Sequence, residues 1–179
     1  GFTEVYDYVA GKSDWAAAGL PTEGSSTSRP TLGTLARRDA PTCRLDEGIG
    51  ELRARVVDAG WKTCLVVNDG RIVMGRLFGK ELQLADDAIA AKVMRSGPST
   101  YRANVTVAEI IERVRKGNWE TVPVTTPEGK LIGLAKREDM EAALVAEAER
   151  APKSTGLYLA SGPLAGSIST SDTRGTTPP

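Results

Sequence analysis

The sequence contains no histidine. That single absence removes Ser-His-Asp and Cys-His catalysis, histidine-based metal sites and imidazole proton transfer. Cysteine is nearly as scarce. Cys43 and Cys64 are its two cysteines, too far apart for a Cys-x-x-Cys redox or zinc motif. Two buried thiols in a reducing cytoplasm are expected, with a disulfide as the alternative that spacing alone leaves open. No apolar run approaches the roughly 20 residues that a membrane-crossing helix needs, so no membrane partner is expected. Charge of either sign is not in excess, since 23 Lys and Arg balance 23 Asp and Glu. A nucleic-acid partner, which calls for a basic face, is therefore not expected either. The opening Gly1-Phe2-Thr3-Glu4 has neither the basic start nor the apolar stretch of a signal peptide. It also lacks Met, from which a longer parent chain is expected. These absences exclude histidine chemistry and a Cys-x-x-Cys site, and a cytoplasmic protein is expected.

What is present is ordinary for a globular protein: 40% hydrophobic and 26% charged residues in a chain of 179. Such a length buries a sizeable core without disulfides or metals. Composition divides the chain into a mixed, aromatic segment 1–24, a Ser-, Thr- and Pro-containing linker 25–30, a periodic region 31–150, and a tail 151–179. The tail, rich in Ser, Thr, Gly and Pro, is predicted to be disordered, although Leu157-Tyr158-Leu159 offers an apolar patch for docking.

The periodic region repeats itself. A shift of 58 positions that puts Gly75 on Gly133 also puts Thr42 on Thr100, Trp61 on Trp119, Thr63 on Thr121 and Val66 on Val124. Ile49, Leu52 and Val56 fall on Val107, Ile110 and Val114, apolar at helical spacing in both copies. Leu82 falls on Met140, and no gap is needed between Thr42 and Leu82. Each copy predicts a short extended piece (42–44; 100–102), an amphipathic helix (46–59; 104–117), a buried strand (63–67; 121–125), a turn at Asn68-Asp69-Gly70 or Pro127-Glu128-Gly129, a second strand (71–77; 130–135) and a second helix. The strands flanking each turn form a hairpin covered by the helices, an α+β unit. One copy alone has too little apolar surface, so the two are expected to pack through their sheets around a common core, as copies 31–88 and 89–150. Trp61 and Trp119, each just past a helix end, are read as packing residues.

This order resembles the cystathionine-β-synthase (CBS) family, whose repeat runs strand, helix, strand, strand, helix. The second copy carries Val122-Pro123-Val124, then Glu128-Gly129-Lys130-Leu131-Ile132-Gly133, then Asp139 at the acidic position opening the last helix. The first copy is looser: Leu65-Val66-Val67, Asp69-Gly70-Arg71-Ile72-Val73-Met74-Gly75, and Glu81 where Asp is usual. Leu35-Ala36-Arg37-Arg38-Asp39 and Val93-Met94-Arg95-Ser96-Gly97-Pro98 resemble the family's lead-ins. A shorter resemblance, to the last strand and helix of a rhodanese sulfurtransferase, lies in Gly1-Phe2, Val5-Tyr6, Ala10-Gly11, Trp15 and Gly19-Leu20-Pro21. A generic strand-helix packed on the repeats explains the same residues. The catalytic cysteine loop of that family lies upstream of such a segment, and Cys43 sits in no Cys-x-x-Gly-x-Arg context.

The CBS resemblance implies an adenosine-containing ligand in the cleft between repeats. The acid at the last helix would hold the ribose hydroxyls, and a Ser or Thr three residues earlier the ribose or phosphate. By position, the second site comprises Thr100, Tyr101, Thr121, Val122, Pro123, Lys136 and Asp139. The first comprises Thr42, Cys43, Leu65, Phe78 and Glu81, and is degenerate. The Ser/Thr positions hold Lys136, which meets a phosphate as a point charge, and Phe78, which has no hydrogen bond to give. As alternatives, Asp139 is a helix cap or a solvated acid, and Lys136 and Arg137 are plain surface charge. Arg37-Arg38 and Arg113-Arg115-Lys116 read as a solvated face. The resemblance thus implies a regulatory module that senses an adenine nucleotide or S-adenosylmethionine, signals to a regulated protein, forms a homodimer and catalyses nothing, with no catalytic residues, no metal ligands and no required cofactor. Two other readings remain: a dimerisation or interaction scaffold with degenerate sites, and a remnant of a rhodanese–CBS fusion.

Overall fold

The computed structural model describes residues 3, 9, 11–21 and 29–150. The predicted tail 151–179, most of the linker 25–30 and the strand expected within 1–10 lie outside the described residues.

Both copies build an α+β unit. In the first, β1 (Thr42–Cys43) runs parallel to β2 (Cys64–Val67), which pairs antiparallel with β3 (Val73–Leu77). In the second, β5 (Tyr101–Arg102), β6 (Thr121–Thr125) and β7 (Leu131–Lys136) repeat the pattern. Even the register irregularity recurs, between Val66 and Val67 and between Val124 and Thr125. Helices α3 (Ile49–Asp58) and α5 (Val107–Lys116) bury the apolar triplets read from the repeat. Two cores form, one around Leu52, Leu65 and Leu77 and the other around Val107, Val122 and Met140. The single shared core expected from the sequence is replaced by two that touch through β7, whose Leu131 and Leu134 belong to the first.

The helix ends explain the tryptophans. Gly60 and Asn118, at equivalent positions, take φ of +69° and +49°. The N–H of Trp61 then bonds to Val56 O at 3.0 Å, and that of Trp119 to Val114 O at 3.0 Å. This is the Schellman ending, in which the residue after the left-handed one packs back on the last turn. It delivers both indoles to the same edge of the molecule.

Two features depart from the predicted pattern. Where the last helix of the first copy was expected, only a 3-10 turn forms, Glu81–Gln83, against a full α6 (Arg137–Arg150) in the second. The Arg53 guanidinium donates to the carbonyls of Leu82 and Leu84, at 2.7 Å each, and so takes acceptors that a continuing helix would use. The lead-ins, moreover, are exchanged. α2 (Leu32–Leu35) precedes the first copy but buries Leu32 in the second core, and α4 (Ala90–Val93) precedes the second copy but buries Ala90 in the first. Arg37 bridges Leu134 of β7, and β4 (Arg95–Ser96) pairs with β3, Arg95 opposite Arg76. The repeated glycines are where the foreign lead-in crosses. A Cβ on Gly133 would sit 2.8 Å from the Arg37 carbonyl carbon, and one on Gly75 2.8 Å from Met94 Cγ.

Ahead of the repeats, α1 (Gly11–Ala17) sets Ala16 and Ala17 against the second core, and Ser13 Oγ donates to Asn104 Oδ1 at 2.7 Å. Trp15 is half-buried, its indole N–H donating to Pro21 O at 2.9 Å, where the rhodanese pattern has a buried tryptophan. Among the described residues no helix is long and apolar enough to cross a membrane.

Candidate functional site

A broad cleft of about 1310 Å³ opens between the copies, where β2 and β6 begin and β3 and β7 end. Equivalent residues face each other across it: Trp61 and Trp119, Thr63 and Thr121, Phe78 and Lys136. Of the predicted second site, Tyr101, Thr121, Val122, Pro123 and Lys136 line this cleft; of the first, Phe78 does. The remaining predicted residues do not join them. Cys43 and Leu65 are buried in the first core, and Thr42 gives its carbonyl to Arg55 Nη1 at 2.9 Å. Thr100 lies just before β5, outside the cleft lining. Asp139 and Glu81, the two acids, are held elsewhere by arginines.

Those acids form equivalent pairs across the exchange. Arg37, read from sequence as solvated, grips Asp139 with Nε and Nη2 at 2.7 and 2.8 Å. Arg95, at the equivalent lead-in position, donates to Glu81 at 2.9 Å. Hydrogen bonding to Arg37 holds the Asp139 carboxyl below its usual range. Burial alone would raise Glu81, but Arg95 and the Phe78 backbone N–H outweigh it and hold it low. Both acids are thus carboxylates with a cation already on them, neither free caps nor solvated.

The floor of the cleft carries a residue that sequence reasoning passed over. Arg76, 8% exposed, donates from Nε to Thr63 Oγ1 at 2.9 Å, from Nη1 to Thr121 O at 3.1 Å, and from Nη2 to Thr121 Oγ1. Desolvation lowers its pKa to about 10, against the opposing pull of Glu120. The guanidiniums of Arg76 and Arg95 lie 4.5 and 4.9 Å from the Phe78 ring, and the Lys136 ammonium 4.9 Å from that of Trp61. Phe78 therefore lines the cleft and seats cations there. Lys136 also meets Glu138 at 3.4 Å, and Arg137 donates to Asn118 Oδ1 at 2.9 Å. Two signals marked Arg76 and Arg95 in the sequence. Arg76 is a charge in a buried strand where the other copy has Leu134, and Arg37 and Arg95 coincide under the 58-residue shift.

The cysteines are both free and buried, not bridged. Hydrogen bonding to Cys43 and then burial push the Cys64 thiol up, so it stays protonated and is a poor nucleophile. Among the described residues no cluster of three or more His, Cys, Asp or Glu is placed to hold a metal ion.

Residues 90–146 match the family model for the CBS domain. Among solved structures, the CBS domains of a transcriptional regulator from Streptococcus pneumoniae align at 19% identity and a TM-score of 0.59, over 63% of this chain and 97% of that one. The cytosolic domain of the Mg2+ channel MgtE in complex with ATP aligns at 17% identity and 0.59, over 65% and 50%. CBSX2 in complex with AMP aligns at 15% identity and 0.59, over 65% and 97%. The chain spans about half the length of MgtE's cytosolic domain and of a second magnesium-transporter structure. No curated protein matches it. Fold and repeat together show the fold of a CBS pair, with one copy matched by the CBS-domain model. Residues 90–146 are its CBS domain by sequence, and the first copy shows the same fold through the structure.

Proposed function

We propose that the chain is a regulatory module that binds one adenosine-containing molecule (AMP, ADP, ATP or S-adenosylmethionine) in the inter-repeat cleft and passes its occupancy to a partner protein without catalysis. The cleft itself carries the reading: it is large enough for a nucleotide, aromatic on both walls, and lined by six cationic side chains against three carboxylates. Two proteins of this fold were solved with ATP and with AMP. The test is a thermal-shift panel with the four ligands, with and without magnesium, followed by calorimetry. A ligand that binds only the folded chain stabilises it by about 2.7 kcal/mol at 100 times its Kd. That shift is expected to shrink in Lys136→Ala.

A scaffold with degenerate sites is the second reading, favoured by the arginines already seated on Asp139 and Glu81. Silence across the whole panel selects it. A homodimer is expected under both readings, and light scattering decides that point separately. The fusion-remnant reading predicts thiosulfate sulfurtransferase turnover, which we expect to be absent.

A further inference from the structure

The two copies cover their first helices unequally. In the second, α6 lies across α5: Arg115 Nε donates to Glu141 Oε1 at 3.2 Å, Ile111 is buried and Leu144 packs on the core. Under the 58-residue shift Arg115, Glu141, Ile111 and Leu144 fall on Val57, Gln83, Arg53 and Asp86 of the first copy. There the helical turn stops at Gln83 and the chain leaves extended. It crosses only the start of α3, where the N–H groups of Ile49 and Gly50 bond to the carbonyls of Ala88 and Asp86 at 2.9 and 3.2 Å. The end of α3 is left without a roof. Val57 is 68% exposed and Leu84 44%. Arg53, one turn before Val57, bonds to the carbonyls of Leu82 and Leu84 and so draws the two sides together. Val57, Leu82 and Gln83 all line the inter-repeat cleft.

A segment of the same chain suits this face. Residues 151–179, outside the described residues, carry one run of large apolar side chains, Leu157-Tyr158-Leu159, among Ser, Thr, Gly and Pro. The chemistry agrees. Where the second copy joins α5 to its cover through an ion pair, the first copy has Val57, which calls for an uncharged apolar partner. The reach agrees as well. Glu141 lines the cleft, and α6 continues from it to Arg150, about 14 Å at about 1.5 Å per residue. From Arg150 to Leu157 an extended chain spans about 23–25 Å, which leaves about 10 Å for crossing to Val57.

We propose that Leu157 and Leu159 dock on Val57 and Leu84 of their own chain, taking the place of the helix that the first copy lacks. One residue separates the two leucines, so an extended segment presents both to the same face. This docking stands whatever molecule the cleft takes.

The experiment measures, by fluorescence anisotropy, how a labelled peptide of residues 153–164 binds the full chain and its Leu157→Asp/Leu159→Asp variant. A tail held on its own chain acts at an effective concentration of about 1 mM and shuts the peptide out. The variant is therefore expected to bind the peptide at least tenfold more tightly than the unaltered chain. Among the described residues both cores are built before residue 151, so the variant keeps the fold. Adding Val57→Asp should abolish the binding, whereas adding Val145→Asp, a similarly exposed position on α6, should leave it unchanged. Equal affinity for the unaltered chain and the variant, binding to neither, or indifference to Val57→Asp overturns the proposal. Sedimentation separates self-docking from exchange between copies. A mass that halves in Leu157→Asp/Leu159→Asp places the segment on a second copy and overturns docking within one chain.

Discussion

Gly133→Ala tests the exchanged lead-ins most sharply. Gly133 does not occupy the left-handed region, so its backbone accepts alanine, and by unfolded-state entropy alone the change would stabilise by about 0.4–1 kcal/mol. Packing reverses that sign. The added methyl would lie 2.8 Å from the Arg37 carbonyl carbon and closer still to its oxygen, and backbone has no rotamer to retreat into. The Arg37–Leu134 bridge, with bonds of 2.9 and 3.0 Å, must open. Overpacking of this kind costs about 1–3 kcal/mol. At about 2–4 °C per kcal/mol for a chain of this size, Tm falls by roughly 2–12 °C. Gly75→Ala is the internal control, because its methyl meets the Met94 side chain, which can move. Adding Met94→Ala should recover most of the Gly75→Ala loss, whereas adding Arg37→Ala should recover none of the Gly133→Ala loss. Thermal and urea unfolding of the four variants measures all of this. A neutral Gly133→Ala, or its rescue by Arg37→Ala, refutes the backbone crossing.

Thr106→Ala removes a capping box whose return bond, Thr106 N–H to Glu109 Oε2, is 2.7 Å, and should cost about 0.5–2 kcal/mol by urea titration. The first copy, with Gly48 at that position, has no such bond to lose. Asp139 and Glu81 are both depressed in the folded state, so their stabilisation is present above the ordinary carboxylate range and is lost as the pH falls below it. Asp139→Asn should therefore flatten the acid limb of a stability–pH curve and leave its alkaline limb unchanged. Cys43 and Cys64, at 2% and 0% exposure, should react with a thiol reagent only at the rate of unfolding. Leu32→Ala and Leu52→Ala lie in different cores but should lower one and the same calorimetric transition. Two separable transitions would mean that the repeats fold independently.

The fold was legible because helix phase, both tryptophans and the Gly75/Gly133 pair repeated under one shift, with a turn between the same two strands in each copy. The triplets Ile49-Leu52-Val56 and Val107-Ile110-Val114 are buried as expected. What stayed hidden was long-range. The lead-ins are adjacent in sequence to the repeats they precede, and nothing local shows that Leu32 belongs with Val107. The missing helix after Phe78 depends on Arg53, about thirty residues upstream, reaching the carbonyls of Leu82 and Leu84. The site was half legible for the same reason. Position under the shift finds Thr121, Val122, Pro123 and Lys136 on the cleft wall, but only three-dimensional packing shows Asp139 under Arg37 and Arg76 across both threonines.

The two readings of function differ on whether the arginines on Asp139 and Glu81 close those positions. What anchors the lead-ins decides how much this matters. Each is fixed by a fully buried residue, Leu32 or Ala90, and by backbone bonds to the other copy's sheet. Burying a leucine contributes about 1.5–3 kcal/mol. The ion pairs lie nearer solvent, with Arg37 and Arg95 side chains 44% and 61% exposed, where screening leaves little net energy. Arginine can therefore leave either acid without loosening the lead-in that carries it. The pairs orient the carboxylates and keep them charged, but they do not hold the repeats together. An occupied acid is for that reason weak support for the scaffold reading, and the balance between the two readings falls to the cleft.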